Sequence, residues 1–413
     1  MSAEFRIDRL GAQGDGIAAT ERGPVFIPFT LPGERVTASR NGERADLLAV
    51  IEASPLRIEP ACRHFGECGG CALQHMEEGA YRDWKRGRVV EALRAHGVEA
   101  EVEPLIPCAP RERRRVTFTA RRTEAGMLLG YNRALSHTII DIEECPIARL
   151  EIVAALEPLR ALARIICSTD KPFRLTVTVT DSGLDVAVYG SGKLAEKARN
   201  TASDFAMRAG LARLAVDGEI IIEPRKPVVL FGDVSVLPPP GAFLQAVAGA
   251  EQIMADIVSA HLGKAKRIAD LFSGAGAFAL RLAKGAEVHA VEADAASLAA
   301  LDRGFRFGSG LKRVTTERRD LFIRPVTAKE LNAFDGVVFD PPRAGAEAQS
   351  KQIAKSEVPL VAAVSCNPTT LARDLSILIE GGYTLQSVVS IDQFLWSPHV
   401  EAVALLTKKK RRR

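Results

Sequence analysis

Residues 267–276 read Arg-Ile-Ala-Asp-Leu-Phe-Ser-Gly-Ala-Gly, a short apolar run that ends in a glycine-rich turn. Similar apolar runs recur at residues 287–292, 336–340 and 360–365, and each ends in an acid or a polar cluster. Stretches with helical periodicity separate them. Strands that alternate with helices predict a parallel sheet with crossover helices, in which ligands bind at the carboxyl ends of the strands. The sequence therefore predicts an α/β Rossmann-like domain over residues 241–413.

Two further segments precede this domain. Residues 1–57 alternate short apolar runs with glycine-rich turns, which predicts a small OB-like β-barrel. Residues 58–240 contain a Cys- and Gly-rich loop, a helical stretch and alternating strands, which predicts a central α+β domain. Pro238-Pro239-Pro240-Gly241 marks the linker that follows. We therefore expect three domains, at 1–57, 58–240 and 241–413.

Composition excludes some classes of protein. The chain has 413 residues, 47% of them hydrophobic and 26% charged, which is typical of a globular protein, and its net charge of +4 excludes a histone-like binder. Its N-terminus lacks the apolar core of a signal peptide, and no 18 uncharged apolar residues run together. We expect a soluble, cytoplasmic protein with no membrane contact. Residues 408–413 are six consecutive cations, which predicts a solvated tail.

Positive charge is concentrated in two groups of residues. These groups suit either the neutralisation of RNA phosphates or a solvated helix or strand face. The first contains Arg82, Lys85, Arg86 and Arg88, and the second contains Arg111, Arg113, Arg114, Arg115, Arg121 and Arg122. Residues 1–57 hold seven Arg and no Lys against eight Asp and Glu, so the barrel would contact RNA through one face or serve as a structural cap.

The glycine turn and the next strand end predict a nucleotide cofactor. Gly274 and Gly276 permit close approach of the backbone to a ligand, and Glu292 can accept both hydroxyls of a ribose. These two features fit NAD and S-adenosylmethionine equally well. Asp340-Pro341-Pro342-Arg343 favours a methyltransferase, because the two prolines fix a rigid loop over the reaction centre. Methyltransferases that act on exocyclic amines usually have an aromatic residue where this chain has Arg343, so that chemistry is disfavoured.

Two side chains suit attack on a pyrimidine ring. C5 of uracil becomes electron-rich when a thiolate adds to C6, and a base must later remove the C5 proton. Cys366 follows a predicted strand and precedes the helix start at Asn367-Pro368, where the helix dipole is expected to favour the thiolate. Glu401 opens the last apolar run, which predicts an antiparallel strand that starts at the edge where the parallel strands end. We therefore expect Glu401 to lie beside Cys366.

Four of the seven cysteines form a possible metal-ligand set. Cys62, Cys68 and Cys71 have the spacing C-x5-C-x2-C, and Cys145 follows in Glu-Cys-Pro. Four thiolates suit zinc or a [4Fe-4S] cluster, and three clustered cysteines with one remote Cys-Pro favour the cluster. The remaining Cys108 and Cys167 have no partner that the sequence reveals.

Taken in order, these motifs resemble the RNA (uracil-5-)-methyltransferase family of TrmA/RumA type over nearly the whole chain. The motifs are Phe243-Leu244-Gln245, residues 270–276, Glu292, residues 340–343, residues 365–368 and residues 399–401. The resemblance implies that Cys366 is the nucleophile, that Glu401 is the base, and that RNA is the substrate. It implies that S-adenosylmethionine or the target uracil is held by Gln245, Phe272, Gly274, Gly276, Glu292, Asp320 and Asp340.

The barrel and the cysteines narrow the resemblance. Residues 1–57 resemble a TRAM domain, and the four cysteines match members that carry an iron–sulfur cluster; the tRNA-modifying type lacks both. The resemblance therefore favours 23S ribosomal RNA over tRNA, and no protein partner is inferred. Two positions depart from the family pattern: Val247 and Ala277 stand where it usually has Asn.

Three other functions stay open at this point. They are tRNA uridine methylation, RNA cytosine-5 methylation, and RNA binding by an iron–sulfur protein without catalysis. Cytosine methylation also uses a cysteine at C6 and needs an acid at N3, which Asp340 could supply. The presence of both Cys366 and Glu401 argues against a protein that has lost catalysis.

Overall fold

The computed structural model describes residues 2–409. Of the basic tail, residues 410–413 lie outside this range. Lys408 is not solvated as predicted: its Nζ donates hydrogen bonds to Ala354 O and Ser356 O and lies over the ring of Tyr383. Within residues 2–409, no helix is long and apolar enough to cross a membrane.

The N-terminal segment forms a six-stranded sheet in the part of the chain that the structure describes. Its strand order is β1-β5-β6-β4-β3-β2. Val36 and Ala38, two residues apart on β5, are fully buried and belong to the small apolar core of this sheet. The strands are β1 (Ser2–Arg6), β2 (Arg9–Leu10), β3 (Gly16–Ala18), β4 (Val25–Ile27), β5 (Arg35–Asn41) and β6 (Arg44–Glu52).

Helix α1 (Glu78–Ala95) follows the cysteine-rich loop and begins where Glu77 accepts a hydrogen bond from Ala80 N. Its buried residues Val89 and Leu93 belong to the core of the C-terminal sheet. Beyond the helix, Val102 and Ile106 form parallel bridges to the edge of that sheet. The sequence groups residues 78–106 with the central domain. In the structure they pack against the C-terminal domain instead, through the apolar side chains of α1 and the bridges to the sheet edge.

The central segment is built on a seven-stranded sheet within the described residues, in the order β13-β12-β11-β10-β7-β8-β9. Neighbouring strands are antiparallel as predicted, except that β11 and β12 are parallel. The elements are β7 (Arg115–Thr123), β8 (Gly126–Asn132), β9 (Ile139–Asp141), α2 (Leu150–Ala154), α3 (Leu156–Ile166), β10 (Phe173–Thr180), β11 (Gly183–Tyr189), α4 (Glu196–Arg208), β12 (Arg213–Val216) and β13 (Glu219–Ile222).

A two-stranded hairpin and a second seven-stranded sheet complete the described chain. The hairpin, β14 (Val229–Phe231) and β15 (Val234–Val236), shares a core with Leu244 and Leu280, so it too packs on the C-terminal part. The remaining elements are α5 (Ala248–Leu262), β16 (Arg267–Leu271), α6 (Ala279–Leu282), β17 (Glu287–Glu292), α7 (Ala295–Phe307), β18 (Val314–Arg318), α8 (Ala328–Leu331), β19 (Gly336–Phe339), α9 (Glu347–Lys355), β20 (Leu360–Ser365), α10 (Pro368–Glu380), β21 (Thr384–Ile391) and β22 (Glu401–Thr407).

The order of this sheet, β18-β17-β16-β19-β20-β22-β21, positions the site. The first five strands are parallel. The inner strands β16, β19 and β20 are mostly apolar and buried, as expected for a sheet covered on both faces. Strand β22 runs antiparallel to β20, with Ala402 opposite Ser365. The predicted parallel sheet and the antiparallel last strand are both confirmed. The start of β22 therefore lies at the edge where the parallel strands end.

Candidate functional site: a cavity at the carboxyl edge of the sheet

The carboxyl ends of the parallel strands surround a cavity of about 640 Å³. Strand ends supply most of its walls, because parallel strands all finish at one edge of the sheet. Of the side chains that the sequence predicts for the site, the cavity is lined by Gln245, Phe272, Gly274, Glu292, Asp320, Asp340, Cys366 and Glu401.

Backbone amides fix the carboxylate of Glu292. Gly274 N donates to its Oε2 at 3.0 Å, while Ala293 N and Asp294 N donate to its Oε1 at 2.7 and 2.9 Å. The glycine turn is therefore tied to the end of β17, and the acid has one orientation. Gly276 has a different place: it does not line the cavity, and a Cβ on it would stand 2.7 Å from Leu301 Cγ. Its lack of a side chain permits helix α7 to pack against the turn.

An aromatic pair forms another wall. Phe272 has φ of 61°, a left-handed conformation that costs free energy for a bulky residue and turns the chain out of β16. Its ring lies 5.5 Å from that of Phe322. Asp320 accepts a hydrogen bond from Phe322 N at 2.9 Å. Ser273, which sequence reasoning missed, lines the same cavity, and its buried Oγ has no partner among residues 2–409.

Cys366 lies between the end of β20 and the start of α10. Asn367 caps this helix by accepting from Thr369 N at 3.1 Å, as its sequence predicts. The expectation of a stabilised thiolate is wrong in the free protein. Burial, followed by the charges of Glu401 and Asp340, raises the pKa of Cys366 to about 11, and the charge of Arg343 opposes this rise. Desolvation and two acids outweigh the helix dipole.

Glu401 and Asp340 are two acids of the same cavity. Glu401 is 1% exposed, and burial, followed by the charge of Asp340, raises its pKa well above the usual range. Burial likewise raises the pKa of Asp340 to about 7, against the hydrogen bond from Gln245. Both acids therefore hold a proton more readily than exposed carboxyls do.

Two glutamine side chains connect these acids. Gln245 Nε2 donates to Asp340 Oδ2 at 2.9 Å, and Gln393 Nε2 donates to Gln245 Oε1 at 2.7 Å and also to Glu401 Oε2. Sequence reasoning identified Gln245 and missed Gln393. The signal that could have found Gln393 is its position in the polar run Asp392-Gln393, which directly follows an apolar strand.

One member of each cationic group is buried and cannot contact phosphates in this structure. Lys85 is fully buried, with its Nζ 2.6 Å from Asp392 Oδ1. Arg114 is buried as well and pairs with Glu251 at 2.7 Å. Both residues therefore form ion pairs inside the protein. Arg113 and Arg115, in contrast, line a second cavity.

This second cavity, of about 290 Å³, is lined by all four cysteines of the predicted set. Burial, together with the other three cysteines, raises the pKa of Cys71 to about 12. In the described range, no group of three or more His, Cys, Asp or Glu side chains could hold a metal ion. Cys108 and Cys167 are buried in two other apolar clusters.

Arg343 and Phe394 line both cavities. The cysteine-lined cavity therefore adjoins the one that contains Cys366 and Glu401. Parallel strands that end at a glycine turn, a carboxylate held by backbone amides and a thiol in the same cavity define the class: the fold is that of an S-adenosylmethionine-dependent methyltransferase.

Comparisons with known proteins identify the family. The family model described as tRNA (uracil-5-)-methyltransferase matches residues 311–409. An uncharacterized RNA methyltransferase of Mesorhizobium japonicum is 69% identical over 413 residues, covering 100% of both chains. The 23S rRNA (uracil(1939)-C(5))-methyltransferase RlmD of Pectobacterium atrosepticum is 32% identical, covering 95% of this chain and 90% of that enzyme. The chain belongs to the RNA (uracil-5-)-methyltransferase family.

A solved structure gives the same fold. The tRNA (uracil-54, C5)-methyltransferase of Pyrococcus abyssi, in complex with S-adenosyl-L-homocysteine, superposes with a TM-score of 0.75. The match covers 98% of this chain and 99% of that one, at 24% identity. This likeness shows the fold, and membership of the family makes the protein an S-adenosylmethionine-dependent RNA methyltransferase.

Proposed function

We propose that this enzyme methylates C5 of a uridine in 23S ribosomal RNA, with Cys366 as the nucleophile and Glu401 as the base. The observation that carries this proposal is the presence of both side chains in one cavity, together with the glycine turn and Glu292. A thiol and a buried carboxyl are the two groups that methylation of a pyrimidine C5 requires.

In the proposed reaction, the Cys366 thiol releases its proton to solvent and its sulfur adds to C6 of the uracil, which places negative charge on C5. When bound, S-adenosylmethionine would supply the methyl group as an electrophile. Glu401 then removes the proton from C5; the C5–H electron pair re-forms the C5–C6 double bond as the C6–S bond breaks. Oε1 of Glu401 is buried and without a hydrogen-bond partner among the described residues, which suits it to accept that proton.

The cavity residues fit the cofactor. The carboxylate of Glu292, held by backbone amides, would accept hydrogen bonds from ribose hydroxyls. Gly274 has no side chain, so the ligand can approach the protein backbone there. The Phe272 and Phe322 rings would pack on the adenine. Asp320 and the free hydroxyl of Ser273 offer further polar contacts at the same wall.

We further propose that Cys62, Cys68, Cys71 and Cys145 hold a [4Fe-4S] cluster. All four thiols line one cavity, although Cys145 follows Cys71 by 74 positions in the sequence. Each cysteine of a cubane cluster binds a different iron, so the thiols stand further apart than the ligands of a single ion. A cluster is therefore compatible with the absence of a single-ion site among the described residues.

The RNA assignment rests on three features of the chain. The relative that acts on 23S ribosomal RNA is similar over nearly the whole length, whereas the tRNA enzyme of P. abyssi supports the fold alone. The six-stranded sheet of residues 1–57 is proposed to act as a TRAM-type RNA-binding unit. Arg343 lines both cavities and Arg113 and Arg115 line the cysteine-lined one, and these three residues would hold phosphates while the base enters.

The experiment is to map modified pyrimidines in RNA from cells with and without the gene. We expect one 5-methyluridine of 23S ribosomal RNA to disappear on deletion and to return with the wild-type gene. Loss of 5-methyluridine from tRNA, or of 5-methylcytidine from any RNA, would contradict the proposed substrate and name the alternative.

A further inference from the structure

Gln393 lies in the segment between β21 and β22 and is 2% exposed. Its Oε1 accepts a hydrogen bond from the backbone N–H of Ala246 at 3.2 Å. Its Nε2 donates to Gln245 Oε1 at 2.7 Å and to Glu401 Oε2. The amide therefore bonds to two separate parts of the chain, residues 245–246 and Glu401.

The backbone N–H of Ala246 fixes the direction of this network. A backbone N–H can only donate, so the oxygen of Gln393 must face it and the NH₂ group must face the other way. The reverse orientation would place two donors opposite each other. Since Gln393 donates to Gln245 Oε1, the NH₂ group of Gln245 must in turn point at Asp340, where it donates at 2.9 Å.

The consequence is that both carboxyl groups accept hydrogen bonds from amides. The oxygen of Glu401 that faces Gln393 has its lone pair occupied, and the other oxygen, Oε1, is buried without a partner in the part of the chain that the structure describes. Three further titratable or charged groups face Glu401, namely Asp340, Arg343 and Cys366. Because Gln393 bonds to Oε2 of Glu401, Oε1 is the oxygen that remains without a hydrogen bond among the described residues.

We propose that Gln393 is a positioning residue for the base: it holds Glu401 through Oε2 and presents Oε1 to the C5 proton of the substrate. This inference rests on the proposed function, since it assigns the atom on which that reaction leaves its proton. Gln393 itself does not touch the reacting atoms. It acts through Glu401 and, by way of Gln245, aligns Asp340.

The test compares Gln393→Met with a matched control. Methionine keeps the volume and apolar stem but donates no hydrogen bond. Gln349→Met is the control, because Gln349 is also fully buried and makes its two hydrogen bonds with Val326 N and Val326 O rather than with either acid. Single-turnover reactions with a uridine-containing ribosomal fragment would separate methyl transfer from release of the covalent methylated adduct.

We expect Gln393→Met to slow release of the adduct by about ten- to a hundredfold, the equivalent of one lost hydrogen bond to a charged group. Methyl transfer should change much less, and the acid limb of the release profile should move to higher pH because the ionised form of Glu401 loses its donor. Equal release rates in Gln393→Met and wild type, or equal slowing in Gln349→Met, would overturn the positioning role.

A second measurement does not depend on turnover. The carbonyl stretch of protonated Glu401 can be followed by infrared difference spectroscopy against Glu401→Gln while the free protein is titrated. Gln393→Met should raise the midpoint of this signal, and an unchanged midpoint would overturn the inference. If the wild-type protein methylates no RNA but the midpoint shifts as expected, the proposed function fails and the positioning of Glu401 stands.

Discussion

Cys366 shows how strongly its surroundings resist the thiolate. Burial raises the pKa of its thiol to about 11, above the value of a free cysteine. We therefore predict that alkylation of Cys366 by iodoacetamide in the free protein accelerates about tenfold per pH unit up to about pH 11, since the thiolate is the reactive form. Site-specific mass spectrometry measures this rate; a plateau near pH 8 would contradict the buried environment.

Glu401 leads to a prediction about a trapped intermediate. In Glu401→Gln the thiol can still add and the methyl group can still transfer, but the C5 proton stays because an amide is not a base. A covalent, methylated RNA–protein adduct should accumulate and be visible on a denaturing gel. Cys366→Ala is the control and should form neither adduct nor product. Normal turnover of Glu401→Gln would exclude Glu401 as the base.

The residues that the sequence could predict are those whose position follows from strand ends. Asp340, Cys366 and Glu401 each adjoin an apolar run, and sheet geometry brings such residues to one edge. Gln393 could not be predicted in this way, because its role depends on contacts with Ala246 and Gln245, nearly 150 positions away. The pKa of Cys366 was misjudged for a related reason: burial is a property of the tertiary structure.

Helix α1 anchors the segment that carries Gln393. Lys85 Nζ bonds to Asp392 Oδ1, Phe394 O and His399 O, while Tyr81 Oη donates to Asp392 Oδ2 at 2.7 Å. These contacts fix the two ends of the 392–399 segment against one helix face. Lys85, which the sequence placed in a group suited to phosphates or to a solvated face, instead anchors the segment that precedes the proposed base, Glu401.

Replacing this lysine should therefore affect both stability and activity. Lys85→Met leaves the Asp392 carboxylate buried without its cation, and we expect a loss of about 3–5 kcal/mol in the free energy of unfolding, with lower turnover. Chemical denaturation measures the first effect. Arg82→Met, on the same helix but in an exposed pair with Glu78, should cost less than about 0.5 kcal/mol. Equal losses in the two variants would show that the buried pair has no special weight.

Strand and helix positions were the easiest elements to predict, and their partners were the hardest. The period-two pattern of residues 115–120 and the Asn367-Pro368 helix start follow from local physics. The sequence grouped helix α1 with the central domain, yet its apolar residues Val89 and Leu93 belong to the core of the C-terminal sheet. An amphipathic pattern predicts that a face is buried but does not say against what.

At the scale of the whole molecule, the four-cysteine cavity is lined both by the loop of residues 62–71 and by Cys145, which follows β9 of the central sheet. We predict that protein purified without oxygen contains about four iron and four sulfide per chain and little zinc. Cys145→Ser should lose the iron and lower the melting temperature, because cluster binding contributes to folding. Metal analysis and calorimetry measure both effects.

A control for this prediction comes from the same chain. Cys167→Ser alters a buried cysteine that lies in an apolar cluster and does not line the four-cysteine cavity, so this variant should keep its full iron content. Stoichiometric zinc in the wild type, or iron retained by Cys145→Ser, would overturn the cluster assignment.

The contact between Tyr81 and Asp392 spans 311 positions of sequence. A ribosome that adds about 5–20 residues per second needs roughly 15 to 60 s to cover that distance. Throughout this interval α1 has been synthesised, but the segment that its Tyr81 contacts has not. Its apolar face must stay uncovered or be shielded by a chaperone, so synthesis of the active enzyme is complete only when nearly the last strand has left the ribosome.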